Sequence, residues 1–336
     1  MSDQNENSEL KAENTRLISL LEQHRIEWRL PSTKPPTNEA VKKNSLSTQE
    51  KIKIFRGLFR GRTDVYPIRW ESRTSGKSGY SPACANEWLA GVCEKPRIKC
   101  GDCGNRLLVP LTDSVIYEHL AGEHTIGIYP LMDDDGCYFL AVDFDDENWQ
   151  EDAKAFSKSC ASLGVPCALE ISRSGQGAHA WIFFKERVSA RDARRLGTAL
   201  ISHTCTSTRQ LKLASYDRLF PNQDSMPKGG FGNLIALPLQ KGPRENGRSI
   251  FVNADLEPFH DQWTFLLAIK PMSAQDIDPT VLQATGKTHP LDVTFIDDED
   301  LAAPWKSSFD SNKKLNIPLP KSLKIILSNL IYFEKS

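Results

Sequence analysis

The chain has 336 residues, with 42 Lys and Arg against 43 Asp and Glu, for a net charge of −1. That balance excludes a polyanion-binding protein that works through its overall charge, so any grip on nucleic acid must come from a local basic patch. With 39% hydrophobic and 25% charged residues the chain reads as globular, and no apolar run approaches the ~20 residues of a membrane-spanning helix. The polar, acidic start MSDQNENSELKAEN is no secretory signal, which leaves the cytoplasm as the expected compartment and no membrane partner.

Residues 1–28 hold a predicted helix in which Leu10, Leu17, Leu20 and Leu21 fall near heptad spacing. Such a stripe makes either a small dimer seam or a face packed on its own domain. Residues 29–47, rich in Pro, Ser, Thr and Lys, read as a linker. A domain is expected over 48–270, opened by a helix capped by Ser47 or Thr48. The segment 271–336 is expected to be an extension or a linker to a missing domain.

Four of the eight cysteines, Cys84, Cys93, Cys100 and Cys103, lie in CANEWLAGVCEKPRIKCGDC. Four thiolates so close in sequence suit a tetrahedral structural Zn²⁺ site, a zinc knuckle at 84–103. Two reduced pairs without metal would leave the same pattern, and His119 or His124 could stand in for Cys84. Lys95, Arg97, Lys99 and Arg106 surround the cluster; Arg69, Trp70, Arg73, Lys77 and Tyr80 precede it. Basic groups mixed with aromatics suit single-stranded nucleic acid, and they also occur on solvated surfaces.

Next comes a regular alternation. TIGIYPL (125–131) and CYFLAVDF (137–144) are predicted to pair around the turn MDDDG. Residues 149–163 are predicted helical, with Phe156, Cys160 and Leu163 on one face. CALEIS (167–172) and HAWIFF (179–184) read as a second hairpin. Ser189 caps a second helix, and NLIALPLQ (233–240) and RSIFVN (248–253) read as further strands. The order strand, helix, strand, strand, helix, strand predicts an α+β fold: an RRM-like antiparallel sheet with helices on one face.

The chemistry concentrates at the strand ends. Asp143 and Asp145 share one strand face, since side chains repeat every two residues. Paired carboxylates there need a counter-charge, and Mg²⁺ or Mn²⁺ prefers oxygen ligands. Asp146, one residue out of phase, reads as a helix cap. In EISRSGQGAHAWIFF, Gly175 and Gly177 let the backbone turn its amides toward an anion, Ser172 and Ser174 offer hydroxyls, Arg173 offers charge, and His179 stands beside the loop. Metal on the acids and phosphates on the loop would suit a nucleoside triphosphate. Further on, Asp217 or Asp224 could add a third carboxylate, and Lys241, Arg244 and Arg248 could hold phosphates or template.

Asp143-Phe144-Asp145, then Ser174-Gly175 through His179, then Tyr216-Asp217 resemble the three motifs of the archaeo-eukaryotic primase superfamily. SRSGQGAHAWIFF and SYDRLFPNQDSMPKGGFGNLIALPLQ are similar to the primase-polymerase domain of TOTE conflict systems, over roughly residues 66–267. The resemblance implies template-directed transfer of nucleotides from NTP or dNTP to a 3′-hydroxyl, with single-stranded DNA template and primer as partners and often a helicase attached. Asp143, Asp145 and Asp217 would bind the catalytic ions, with Asp217 preferred to Asp224. Ser172, Arg173, Ser174 and His179 would hold the incoming triphosphate. Two rivals share parts of the pattern: a non-catalytic, zinc-containing single-stranded nucleic-acid-binding module, and a metal-dependent nuclease.

Overall fold

Ser47 and Glu50 close a capping box, each side chain bonding the other's backbone N–H, and helix α1 (Thr48–Leu58) starts there. The computed structural model describes residues 46–286, apart from 73 and 210–212, together with residues 13, 16, 17 and 20. The chain divides into two units, Met1–Leu46 and Ser47–Ser336. In the first, Glu13, Arg16, Leu17 and Leu20 are helical, and Arg16 pairs with Glu13 at 2.8 Å. The rest of the expected N-terminal helix and its dimer seam, the linker up to residue 45, and the tail from 287 onward lie outside the described residues.

In the second unit a hairpin follows α1, with β1 (Pro67–Glu71) antiparallel to β2 (Ser78–Pro82). Helix α2 (Asp113–Ala121) runs from its Thr112 cap to a left-handed Gly122. Strand β3 (Gly127–Ile128) pairs with β8 (Ile235–Ala236), not with the run that follows it, so the first expected hairpin does not form. Two facts explain the correction. Pro130 lacks an N–H to donate, and the following strand already has a neighbour on each side.

That strand is β4 (Gly136–Phe144), an interior strand of a five-stranded antiparallel sheet. After it come α3 (Trp149–Ser162), β5 (Ala168–Ile171), β6 (Ala178–Ser189), α4 (Ala190–Thr208) and β7 (Tyr216–Phe220). The sheet order is β7-β4-β6-β5-β9, with β9 (Ile250–Val252) on the outer edge. Strands β4, β5, β6 and β7 with their two helices thus make the βαββαβ arrangement of ferredoxin-like sheets. The fourth strand of that set is Tyr216–Phe220, whereas the sequence pattern had pointed to 233–240. A five-residue strand with two charged members carries little periodic signal.

Alternation along β4 sorts the core into two layers. Phe144 faces the helices, its ring 5.6 Å from Phe156 of α3, and Leu140 and Leu219 meet Gly197 of α4 so closely that a Cβ there would sit 3.0–3.1 Å from them. On the other face Phe139, Trp181 and Phe183 cluster, and Phe59 packs edge-on to Trp181 at 5.0 Å and Phe183 at 5.3 Å. Helices α3 and α4 share the expected face; the end of α1 covers the opposite one. The body continues past residue 270, where the sequence reading put a boundary: Met272 N–H donates to Phe183 O at 2.8 Å, and Ile277 and Val281 of helix α7 (Ile277–Ala284; α5 is Lys241–Glu245 and α6 Gln262–Ala268) are buried. Among the described residues no helix is long and apolar enough to cross a membrane.

Candidate active site

One row of residues crosses the sheet on the face away from α3 and α4. Asp143 of β4 pairs with His179 of β6, His179 with Glu170 of β5, and Glu170 with Phe251 of β9. The row follows from register alone, since directly opposed residues in antiparallel strands point to the same side. His179 Nδ1 donates to Glu170 Oε2 at 2.9 Å, and its Nε2 lies 3.6 Å from Asp143 Oδ1. Burial disfavours a charge on His179, but the Glu170 carboxylate, with Asp143 and Asp145, outweighs it and raises the pKa to about 9.

The β4–β7 ladder is irregular where it matters. Val142 pairs with Leu219 and Phe144 with Tyr216, so two residues of β7, Asp217 and Arg218, oppose the single residue Asp143. Such a bulge re-aims side chains at a strand end. It brings the Asp217 carboxylate within electrostatic reach of both other acids. Burial, then Asp145 and Asp217, push the Asp143 pKa up against the pull of His179; burial and Asp217 do the same to Asp145. The Asp217 carboxylate also accepts from Arg218 Nε at 2.7 Å. Asp145 lies just past the strand, its N–H bonded to Ser215 O at 2.7 Å. Ser215 is pinned by buried Asp152 of α3, which accepts from the Ser215 N–H at 3.0 Å and its hydroxyl at 2.7 Å. A helix carboxylate thus ties two acid-bearing segments together.

The loop Ser172–Gly177 closes on itself: Ser172 N–H donates to Gly177 O at 2.9 Å, Gly175 N–H to Ser172 O at 3.0 Å, and the two serine hydroxyls lie 2.9 Å apart. Gly175 has φ +76°, a conformation side chains disfavour. At Gly177 a Cβ would stand 2.5 Å from Phe144 O and 2.6 Å from Asp145 Oδ1, so only glycine lets the loop approach the acids this closely. Two cations flank the loop. Arg173 reaches Glu71 of β1 at 3.4 Å, while the exposed Arg248 lies over Gly175, 3.0 Å from where a Cβ would be. Lys241 opens α5 beside Gly122, at the end of α2.

Three expectations change. Asp146 is no helix cap: it turns the chain at φ +78°, and the N-cap position is Asn148, without a side-chain cap bond. Asp224 forms an ion pair with buried Arg194 of α4 instead of facing the other acids. Asp224→Asn, which keeps the shape and removes the charge, is therefore expected to lower stability by about 1–3 kcal/mol, the usual worth of a hydrogen bond to a charged group, readable by denaturant unfolding. His119 is fully buried, with Nε2 on Pro238 O at 3.0 Å and Nδ1 accepting from Ile126 N–H at 3.2 Å; both nitrogens are taken, and burial drops its pKa to about 4. It cannot substitute for a cysteine.

Cys84, Cys93, Cys100 and Cys103 all line one pocket, with Lys95, Asn105 and Arg106. Leu107 N–H points at Cys84 Sγ, 3.3 Å away. Among the described residues, no three His, Cys, Asp or Glu side chains converge closely enough to hold a metal ion. Arg106 Nη1 donates toward Gly101 O and Gly229 O, both at 3.2 Å, and its guanidinium lies 5.2 Å from the Phe231 ring, fastening the cysteine segment to the Gly-rich turn at 229–232. Glu170, Asp152 and Ser215 were not singled out by sequence reasoning. Only Glu170 left a trace, as a charge inside an apolar strand.

The family model described as the archaeo-eukaryotic primase domain of TOTE conflict systems matches residues 50–280. No curated protein matches significantly. Among solved structures, the polymerase domain of Mycobacterium tuberculosis ligase D, in complex with DNA, is 11% identical, with a TM-score of 0.34 over 71% of this chain and 89% of that one. So loose a likeness assigns no residue.

Proposed function

The chain belongs to the archaeo-eukaryotic primase domains of TOTE conflict systems, and from that premise we propose that it is a template-directed primase-polymerase, transferring nucleotides from NTP or dNTP to a 3′-hydroxyl. The observation that carries the reading is one end of the sheet where Asp143 stands beside His179, the glycine loop closes on Asp145, and Asp217 lies within electrostatic reach of both acids without converging on a single point. Asp143, Asp145 and Asp217 would hold Mg²⁺ or Mn²⁺. The donor set fits, being all oxygen, and burial with mutual repulsion leaves two of its carboxylates short of a counter-charge. Bound there, the ions supply acidification of the attacking hydroxyl and neutralisation of charge on the leaving pyrophosphate.

The remaining steps fall to side chains. Arg248 and Arg173 grip the triphosphate from either side of the loop, and Ser172 and Ser174 donate to its oxygens. Glu71, now on Arg173, yields to the phosphates. His179 presents Nε2 toward the same anion. Primer extension on single-stranded template, with labelled nucleotides and Mg²⁺ or Mn²⁺, tests the reading. Elongated product is expected; template degradation instead would favour a nuclease, and binding without synthesis a passive module.

Cys84, Cys93, Cys100 and Cys103 would hold a structural zinc ion; four thiols lining one pocket, with a backbone N–H aimed at one sulfur, suit it. Elemental analysis of purified protein is expected to find about one zinc per chain, and Cys100→Ser to lower both zinc content and melting temperature. Metal-free, fully folded protein would refute the site.

A further inference from the structure

Glu170 is an oddity: a carboxylate with 1% of its surface exposed, on a strand whose other members are apolar. Burying a carboxylate is costly unless its oxygens are used. Both are. Oε2 accepts from His179 Nδ1 and from Trp181 Nε1, each at 2.9 Å, and Oε1 accepts from the Ser249 hydroxyl at 3.4 Å. Trp181 is itself fully buried and stacked on Phe183, so the carboxylate is held from behind by a rigid group.

We propose that Glu170 is the positioning residue of the active site, fixing His179 with Nδ1–H turned inward and Nε2 turned to the nucleotide. A carboxylate only accepts hydrogen bonds, so it takes the Nδ1–H and leaves the Nε2–H as the donor that faces the triphosphate. Nε2 lies beside Asp143. The ring cannot turn over, because Trp181 stands edge-on to it at 5.9 Å and β6 holds it in register between Asp143 and Glu170. Ser249 extends the arrangement, since its N–H reaches Ser172 O at 3.4 Å where the phosphate loop begins. One buried acid thus sets the histidine and, through Ser249, touches the loop. The inference rests on the reading of His179 as a triphosphate ligand, and the test separates the two.

Imidazole ¹⁵N spectra of ¹⁵N-histidine-labelled protein report the ring protons without any reaction. In the wild type, His179 is expected to carry a proton on Nδ1; an unprotonated Nδ1 overturns the proposal at once, with no variant needed. In Glu170→Leu, which keeps side-chain bulk and removes the acceptor, the hydrogen-bond signature at Nδ1 is expected to be lost. The KM for the incoming nucleotide should rise about 10–100-fold, as when the outer partner of a working histidine is removed, with kcat much less affected. Folded Glu170→Leu with unchanged spectrum or unchanged KM overturns the proposal. His179→Ala tests the underlying reading separately: if it leaves nucleotide KM unaltered, His179 is no triphosphate ligand, whatever holds its ring.

Discussion

Asp143→Asn combined with Asp145→Asn is expected to abolish nucleotide transfer and, without metal, to make the protein more stable. The activity loss should reach roughly 10³-fold or more, because several kcal/mol of charge stabilisation goes with the ions and each ~1.4 kcal/mol is a factor of ten. The stability gain follows from the electrostatics. Burial and neighbouring acids raise the Asp143 pKa, and burial and Asp217 raise that of Asp145. A carboxyl whose folded pKa lies above its unfolded value binds more protons when folded, so stability is greatest below the unfolded pKa and is lost as pH rises through the folded one. As pH rises through the folded pKa values the two groups ionise in place and oppose folding. Asparagine removes the opposition and that part of the pH dependence. Chelator-treated wild type and double variant, compared by denaturant unfolding from acid to neutral pH, should diverge as pH rises. A double variant that still extends primers sinks the catalytic assignment; one that is inactive and less stable shows that the acids are structural.

Much of this was legible in local pattern. The apolar runs at 137–144 and 179–184, the cap at Ser189 and the two-residue phase of Asp143 and Asp145 are short-range signals, and the central strands and the site's first acids follow from them. What was hidden depends on register. Nothing in YDRLF says that two of its residues will oppose one of β4, yet that bulge turns Asp217 toward Asp143. Glu170 gains its role only when β5 lies beside β6, putting a carboxylate nine residues away in sequence against His179. Asp224 stood behind Asp217 as an alternative third carboxylate, and only Arg194, thirty residues earlier, claims it for another role. Long-range pairing decided each case, and pairing leaves no mark on a stretch of a few residues.

Phe144→Ala should cost about 3–5 kcal/mol, the usual range for truncating a fully buried phenylalanine. Phe144 has none of its surface exposed and packs on Phe156 of α3, while its neighbours Asp143 and Asp145 face the opposite way. The ring is what holds the end of β4 down on the helix layer, against carboxylates that repel. Phe144→Leu, which keeps much of the volume, should cost less than about 1.5 kcal/mol, and its activity should fall only as far as the acids shift. Urea unfolding of both variants in the presence of chelator gives the comparison. If Phe144→Ala is as stable as wild type, the packing account of this strand is wrong. The sign matters as much as the size: in three consecutive residues the outer two are expected to weaken the metal-free fold and the middle one to secure it. Removing the acids should therefore offset part of the Phe144→Ala loss, and the triple variant should unfold at a higher urea concentration than Phe144→Ala alone.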